Sequence, residues 1–340
     1  MKCVLLSVRA TCFSLLSMLS LALIMCPFAP VAAQLSINVT TEKTDYHYRE
    51  LVRVRGNVTS DGSPIGEGLV AIQIQDPGSK TIALRTVQAN ATPSENWAVE
   101  IVSFISIDNL GNPESIFEKE GFAYFKAHIR NSDDFSSRTV LLTITLFDGD
   151  STPFMFQWMR TTIEPQESLE EIVGLYVDDW VSVGEAAAYV SVYEDWPSLG
   201  GCAYCPGESV VFYVTSATQA EPMFHVSSTT QKMLDFSCSS FEMEVRLPPQ
   251  APLGRYTITC SVLSDSARSS GTTAFNREHN LPGDIIFDRK IDIFDAVTIA
   301  AAYGTQGGEP WWKPMADLNA DAFIDIFDIV IAAANYGTSY

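Results

Sequence analysis

The residues whose spacing most clearly implies chemistry are acids near the end of the 340-residue chain. Asp317, Asn319, Asp321, Phe323, Asp325 and Asp328 stand at positions 1, 3, 5, 7, 9 and 12 of one twelve-residue stretch. Five of them offer side-chain oxygens, and Phe323 offers its backbone carbonyl. Oxygen donors alternating around a tight turn suit Ca2+, which takes six to eight hard oxygen ligands at about 2.3–2.6 Å. Upstream, Asp284 to Gly304 aligns without a gap on Asp317 to Gly337. The ligands of that first copy are Asp284, Asp288, the Lys290 carbonyl, Asp292 and Asp295. Ile286 replaces the oxygen at position 3, so the first site is expected to bind Ca2+ more weakly than the second.

The duplication extends beyond the ligands, through Ile291/Ile324, Ile293/Ile326, Phe294/Phe327, Val297/Val330, Ala300/Ala333, Tyr303/Tyr336 and Gly304/Gly337. Each copy reads as a loop followed by a short Ala-rich helix, with the glycine where a helix C-terminus wants positive φ. Arg289 and Ala322 occupy position 6, which favours glycine. Ile291 and Ile324 are expected to pair the two loops through a β-bridge, while Val297, Val330 and the alanines fill a small core. With Asp at position 12 and one helix after each EF-hand-like loop, residues 276–340 resemble a type I dockerin. That resemblance implies Ca2+ at two sites and a cohesin-like protein module as partner. It also implies docking through positions 10 and 11, which are Ile293, Phe294, Ile326 and Phe327. These are apolar and identical in both copies, where the family usually has small hydroxyl or charged residues. The competing expectation is that both Phe side chains bury against a neighbouring domain.

The elements that carry this tail read as β-structure. Val70, Ile72 and Ile74 alternate with Ala71, Gln73 and Gln75, and Phe241, Met243, Val245 and Leu247 alternate with Glu242, Glu244 and Arg246. Turn signals such as Asp61-Gly62, Asp76-Pro77-Gly78, Asp148-Gly149-Asp150 and Pro248-Pro249 separate the strands. The fold class expected is mainly β: antiparallel sandwiches over 34–137 and 138–275, then a small α-helical module with duplicated calcium loops. Tyr46, Gly56, Pro64 and the strand before Asp76 resemble the opening of immunoglobulin-like domains of macroglobulin and cell-surface proteins. Pro206-Gly207-Glu208 and Ala251 to Tyr256 resemble a second such domain.

Residues 1–33 have the form of a secretory signal: Lys2 and Arg9, an apolar run from Thr11 to Phe28, and Val31-Ala32-Ala33 before Gln34. No later segment is apolar and long enough to span a bilayer, so membrane insertion is expected nowhere else. Cys202, Cys205, Cys238 and Cys260 follow the signal. An even count in an exported chain suggests two disulfides, with three connectivities open. Cys202 with Cys205 is one candidate pair. Cys238 with Cys260 is the other, if Phe241–Leu247 and Arg255–Val262 form one hairpin. Asn38, Asn57 and Asn90 begin Asn-x-Thr sequons, expected to face solvent if glycosylated.

With 21 Lys and Arg against 41 Asp and Glu, the chain carries a formal −20, which excludes nucleic acid and anionic lipid as partners. Four histidines and the absence of HExxH, GxSxG or a phosphate-cradling loop leave no triad or zincin to argue. Asp178-Asp179 and Glu194-Asp195 are adjacent acids, read as surface groups rather than a glycosidase pair. The function expected is non-catalytic: a secreted modular protein whose calcium-stabilised tail docks it and displays its sandwiches at the cell surface. One alternative is a carbohydrate-binding or glycoside-hydrolysing subunit, partnered by polysaccharide through Trp180, Trp196, Trp311 or Trp312. Another is a surface-layer structural protein.

Overall fold

The computed structural model describes residues 34–46, 50–65, 68–89, 97–216, 240–264, 267–278 and 282–339, the last without 287, 289, 307, 308, 310 and 320. The expected signal segment, Asn90, Cys238, His225 and Arg289 therefore lie outside the described residues. Among those described, no helix is long and apolar enough to cross a membrane.

The chain is mainly β and of the β-sandwich class. It lays down β1 (Leu35–Thr41), β2 (Asp45–Tyr46), β3 (Leu51–Ser60), β4 (Ser63–Pro64), β5 (Gly68–Gln75) and β6 (Thr81–Ala89). It continues through β7 (Val99–Ile107), β8 (Ile116–Glu118), β9 (Gly121–Asn131), β10 (Arg138–Asp148), β11 (Pro153–Ile163), β12 (Ser168–Val177), β13 (Gly184–Tyr193) and β14 (Glu208–Thr215). It returns as β15 (Ser240–Arg246), β16 (Gly254–Ser264) and β17 (Ala267–Arg277).

Two sheets, β1-β3-β15 and β2-β17-β16-β5-β6, enclose one core of Val52, Val54, Ile72, Met243, Tyr256 and their neighbours. Two others, β12-β9-β7 and β11-β10-β13-β14-β8, enclose a second core that includes Phe125, Leu142, Val190 and Phe212. The second sandwich is thus inserted into the first, between β6 and β15. This differs from contiguous sandwiches over 34–137 and 138–275. Period-two alternation marks which residues face a core but says nothing about which strand pairs with which.

The hairpin expected of Phe241–Leu247 and Arg255–Val262 fails for the same reason. β15 pairs with β3, while β16 pairs with β17 and β5 in the facing sheet. Pro248 and Pro249, which donate no ladder bonds, sit where the chain crosses from one sheet to the other.

β5 departs from its half-buried expectation. Val70, Ile72 and Ile74 enter the first core, but Leu69, Ala71 and Gln73 are buried too, because the second sandwich covers that face. Leu69, Ala71 and Leu84 meet Leu141, Tyr193 and Ala203 there. Inside this seam Gln73 donates to Thr81 Oγ1 (2.8 Å) and accepts from the Ser198 N–H (2.8 Å), while Arg85 Nε is buried without a hydrogen-bond partner among the described residues. Thr86 Oγ1 bonds the Tyr193 hydroxyl (3.0 Å), and the Arg85 guanidinium lies 3.6 Å from the Tyr189 ring centroid.

The pairing of β3 with β15 is checked by a double-mutant cycle in urea unfolding, since Val54 and Met243 are direct cross-strand partners, both fully buried. Met243→Ala is expected to cost about 2–5 kcal/mol. Combined with Val54→Ala, it should depart from additivity by about 0.5 kcal/mol or more; strict additivity would remove the contact.

Candidate metal centre

The tail contains two helices, Ile293–Ala301 and Ile326–Ala334, each starting in the same way. Asp292 and Asp325 are the N-caps, accepting the N–H of Phe294 and Phe327 (2.8 Å each). Asp295 and Asp328, three residues on, reach back to the cap N–H groups, closing a capping box at each helix. The helices end before Gly304 and Gly337, whose φ of +80° and +81° match the positive φ the sequence expects.

The position-12 carboxylates also organise the loops. Asp295 Oδ1 accepts the N–H of Ile285 (2.8 Å) and Ile286 (3.1 Å), and Oδ2 accepts that of Asp292 (2.9 Å). Asp328 repeats this with Leu318 (2.6 Å), Asn319 (3.3 Å) and Asp325 (2.8 Å). Both aspartates are 0% exposed, and Asp284 and Asp317 at position 1 are buried as well. Among the described residues, neither Asp295 nor Asp328 forms an ion pair with a Lys or Arg within 4.0 Å.

In the first loop, carboxylate oxygens of Asp284, Asp288 and Asp295 lie within 4.8 Å of one another. Ligands on opposite sides of one Ca2+ are about 4.6–5.2 Å apart, so this cluster has the size of a calcium sphere. The donors are all hard oxygens, which suits Ca2+ or Mg2+ and not a soft metal. Lys290 holds position 7, and Asp292 is engaged as the cap. In the second loop, Asp317 accepts the N–H groups of Asp321 (3.1 Å) and Ala322 (2.9 Å). Asp321 accepts those of Asn319 Nδ2 (2.9 Å) and Phe323 (2.9 Å). Asp284 likewise accepts the N–H of Asp288 (3.2 Å), and Asp288 that of Lys290 (3.0 Å), so the acids of both loops are turned onto their own backbone.

Two sequence expectations about the tail change. The loops do not pair with each other: the Ile291 N–H donates to Thr338 O (3.0 Å), and the Ile324 N–H to Thr305 O (3.0 Å). Each loop thus bridges to the strand after the other copy's helix, as Lys290↔Ser339 and Gln306↔Phe323. Val297 and Val330 are exposed, and the core is Ile285, Ile299, Ala302, Ala316, Ile324 and Ala332. A helix this short buries one narrow stripe, and Ile299 and Ala332 occupy it. Ile293, Phe294, Ile326 and Phe327 are all exposed, the two Phe at 64% and 62%.

Other sequence-predicted residues are dispersed. Cys202 and Cys205 are separate buried thiols. The segment bridges the end of β13 at Ala203, with the Tyr204 N–H on Val192 O (2.9 Å), and bends at Tyr204 and Cys205, so the two thiols face different sandwiches. Cys202 therefore points at Val262 O of the first sandwich (3.7 Å), and Cys205 enters the second core, where burial pushes its thiol up to about 12. Cys260 is buried in the first core, and its proposed partner is not among the described residues. Asn38 and Asn57 are exposed and directly opposite each other on β1 and β3. Glu194 pairs with Arg268 and Asp195 with Arg160, so these adjacent acids serve separate ion pairs.

No family model and no curated protein matches the chain. Similar solved structures include the C-terminal domain of Wzt, at 11% identity and a TM-score of 0.30, covering 38% of this chain and 86% of that one. A CARDB domain from Pyrococcus furiosus, solved with di-metal ions, is 8% identical with a TM-score of 0.26, covering 37% and 96%. A glycoside hydrolase family 2 β-glucuronidase is 8% identical with a TM-score of 0.27, covering 49% of this chain and 24% of that chain. Each overlap is partial, and none bears on what this chain binds.

Ala322 sits at φ +68°, a left-handed conformation that costs a residue with a Cβ about 1–2 kcal/mol. Ala322→Gly is expected to stabilise the second loop by about 1 kcal/mol, after allowing for glycine's greater unfolded-state freedom. Slower native-state hydrogen exchange at the Leu318 and Ile324 amides would report it, and unchanged exchange would mean that no strain is stored there.

Proposed function

We propose that the two loops bind calcium and that the ordered tail is a docking module of the dockerin type, joining this exported chain to a cohesin-like protein. In this reading the two sandwiches are immunoglobulin-like domains displayed outside the cell, and the chain itself catalyses nothing. The observation that carries it is a contrast within each copy. The position-12 carboxylate is fully buried with no Lys or Arg ion pair among the described residues, whereas the apolar pair at positions 10 and 11 is left in solvent.

Both halves of that contrast have a physical reading. An ionised carboxylate removed from water needs a cation or a full set of hydrogen bonds, and the oxygen cluster at the first loop has the dimensions to receive a cation. Ile293, Phe294 and Val297 on one helix, and Ile326, Phe327 and Val330 on the other, form two like apolar patches that no described residue covers. Calcium would hold the loops that aim those patches, so removing it should disorder the docking face.

Calorimetric titration of the full chain is expected to show Ca2+ binding at both loops, the tighter event lost in Asp328→Ala and the weaker in Asp295→Ala. Chelation should speed hydrogen exchange at the Ile291 and Ile324 amides; no heat and no change in exchange would end the calcium reading. On an immobilised cohesin module, the chain should be retained in Ca2+ and released by chelator. The pair Phe294→Asp and Phe327→Asp should abolish retention while leaving the Ca2+ titration unchanged, and undiminished retention would place the docking face elsewhere.

A further inference from the structure

The outer face of the sheet β12-β9-β7 has a composition unlike the rest of this acidic chain. Along β9 the side chains alternate cleanly: Ala123, Phe125, Ala127 and Ile129 enter the second core. Phe122, Tyr124, Lys126, His128 and Arg130 line the opposite face. Phe122 and Tyr176 on β12 are exposed, with ring centroids 5.5 Å apart at 68°, and Tyr124 lies 6.3 Å from Phe122. Gly174 faces Tyr124 across the strands, and a Cβ there would come within 2.7 Å of the Tyr124 ring. The missing side chain lets that ring lie down over the sheet.

At the other end of the same strand the face becomes a shallow groove of about 520 Å³, lined by Glu100, Ile101, Val102, His128, Arg130, Gln166 and Ser168. Its charges are matched internally. Lys126 pairs with Glu170 (2.9 Å), Arg130 approaches Glu100 (3.9 Å), and Arg130 Nη2 donates to Gln166 Oε1 (2.8 Å). The face therefore offers many hydrogen-bond donors and acceptors with no charge excess, on a chain whose formal charge is −20.

From this we infer that the face binds an uncharged oligosaccharide, with pyranose rings stacked on Phe122, Tyr124 and Tyr176 and hydroxyls bonded in the groove. The complement of aromatic rings beside charge-balanced polar groups is a molecule with apolar ring faces, a rim of hydroxyls and no charge. An anionic ligand would meet Glu100 and Glu170, and a cationic one Lys126 and Arg130. The site lies wholly on the inserted sandwich and does not depend on the tail, so it stands or falls separately from the docking reading.

The test is calorimetry of the full chain with cellohexaose, xylohexaose and mannohexaose, with polygalacturonate as the charged arm. At least one neutral hexasaccharide is expected to bind in the presence of chelator as well as Ca2+. Phe122→Ala and Tyr176→Ala should each weaken it tenfold or more, Phe122→Tyr should retain it, and Trp158→Ala, an exposed ring on the other sheet, should leave it unchanged. Far-ultraviolet spectra and melting temperatures of the variants establish that they remain folded. The proposal is overturned if no neutral hexasaccharide binds, if polygalacturonate binds more tightly, or if the ring deletions leave affinity intact. It is also overturned if those deletions instead dissociate a dimer in sedimentation, which would make a second copy the occupant.

Discussion

Everything in the tail depends on one use of one side chain, made twice. The carboxylate of Asp295, and that of Asp328, ties the start of its loop to the start of its helix by accepting three backbone N–H groups. A loop of this length has many conformations, and ordering each residue costs about 1–2 kcal/mol. A buried anion with several fixed donors removes most of that freedom at once. The same burial makes the charge expensive, so a cation bound in the loop would add stability as well as shape.

The exchange of β-bridges between copies adds a second constraint. Ile291 is held by the strand after the second helix, and Ile324 by the strand after the first, so neither copy is complete alone. Gly283 shows how close the halves come, since a Cβ there would lie 2.7 Å from Ala332 Cα. Mutual dependence of this kind explains why ligands and core residues match between copies. It does not explain why Ile293-Phe294 matches Ile326-Phe327, because those side chains are in solvent and hold nothing together. In the docking reading proposed above, their identity would follow from a surface that both patches meet.

What could be read from the sequence was local. The spacing of the acids, the helix ends at Gly304 and Gly337 and the alternation in β15 are decided by residues within one or two turns of each other. What could not be read was non-local. Val70 and Ala71 give the same pattern whether Ala71 faces water or a second sandwich, and nothing near Phe241 reveals that its partner is Gly56. Cys202 and Cys205 looked like a pair because they are close in sequence, yet Cys202 lies against Val262 of the first sandwich and Cys205 in the core of the second. The aromatic face on β9 was missed for a related reason. Only the register places Phe122, Tyr124 and Tyr176 together on the outer side of one sheet.

That placement follows from the seam between the sandwiches. Leu141 and Thr145 on β10 point away from the second core toward β5 and β6, where Thr145 Oγ1 bonds both the N–H (3.4 Å) and the carbonyl (3.2 Å) of Leu84. Such bonds have direction as well as strength, and with Gln73, Thr86 and Arg85 they fix one orientation of the two sandwiches more narrowly than apolar contact would. β10 is thereby committed on both faces, one to its own core and one to the seam, while Trp158 on β11 and Val211 on β14 of the same sheet stay exposed. The remaining sheet, β12-β9-β7, has its inner face in the core and its outer face turned away from the seam. The junction on one side of the inserted sandwich thus leaves the outer face of β12-β9-β7 uncovered by the first sandwich.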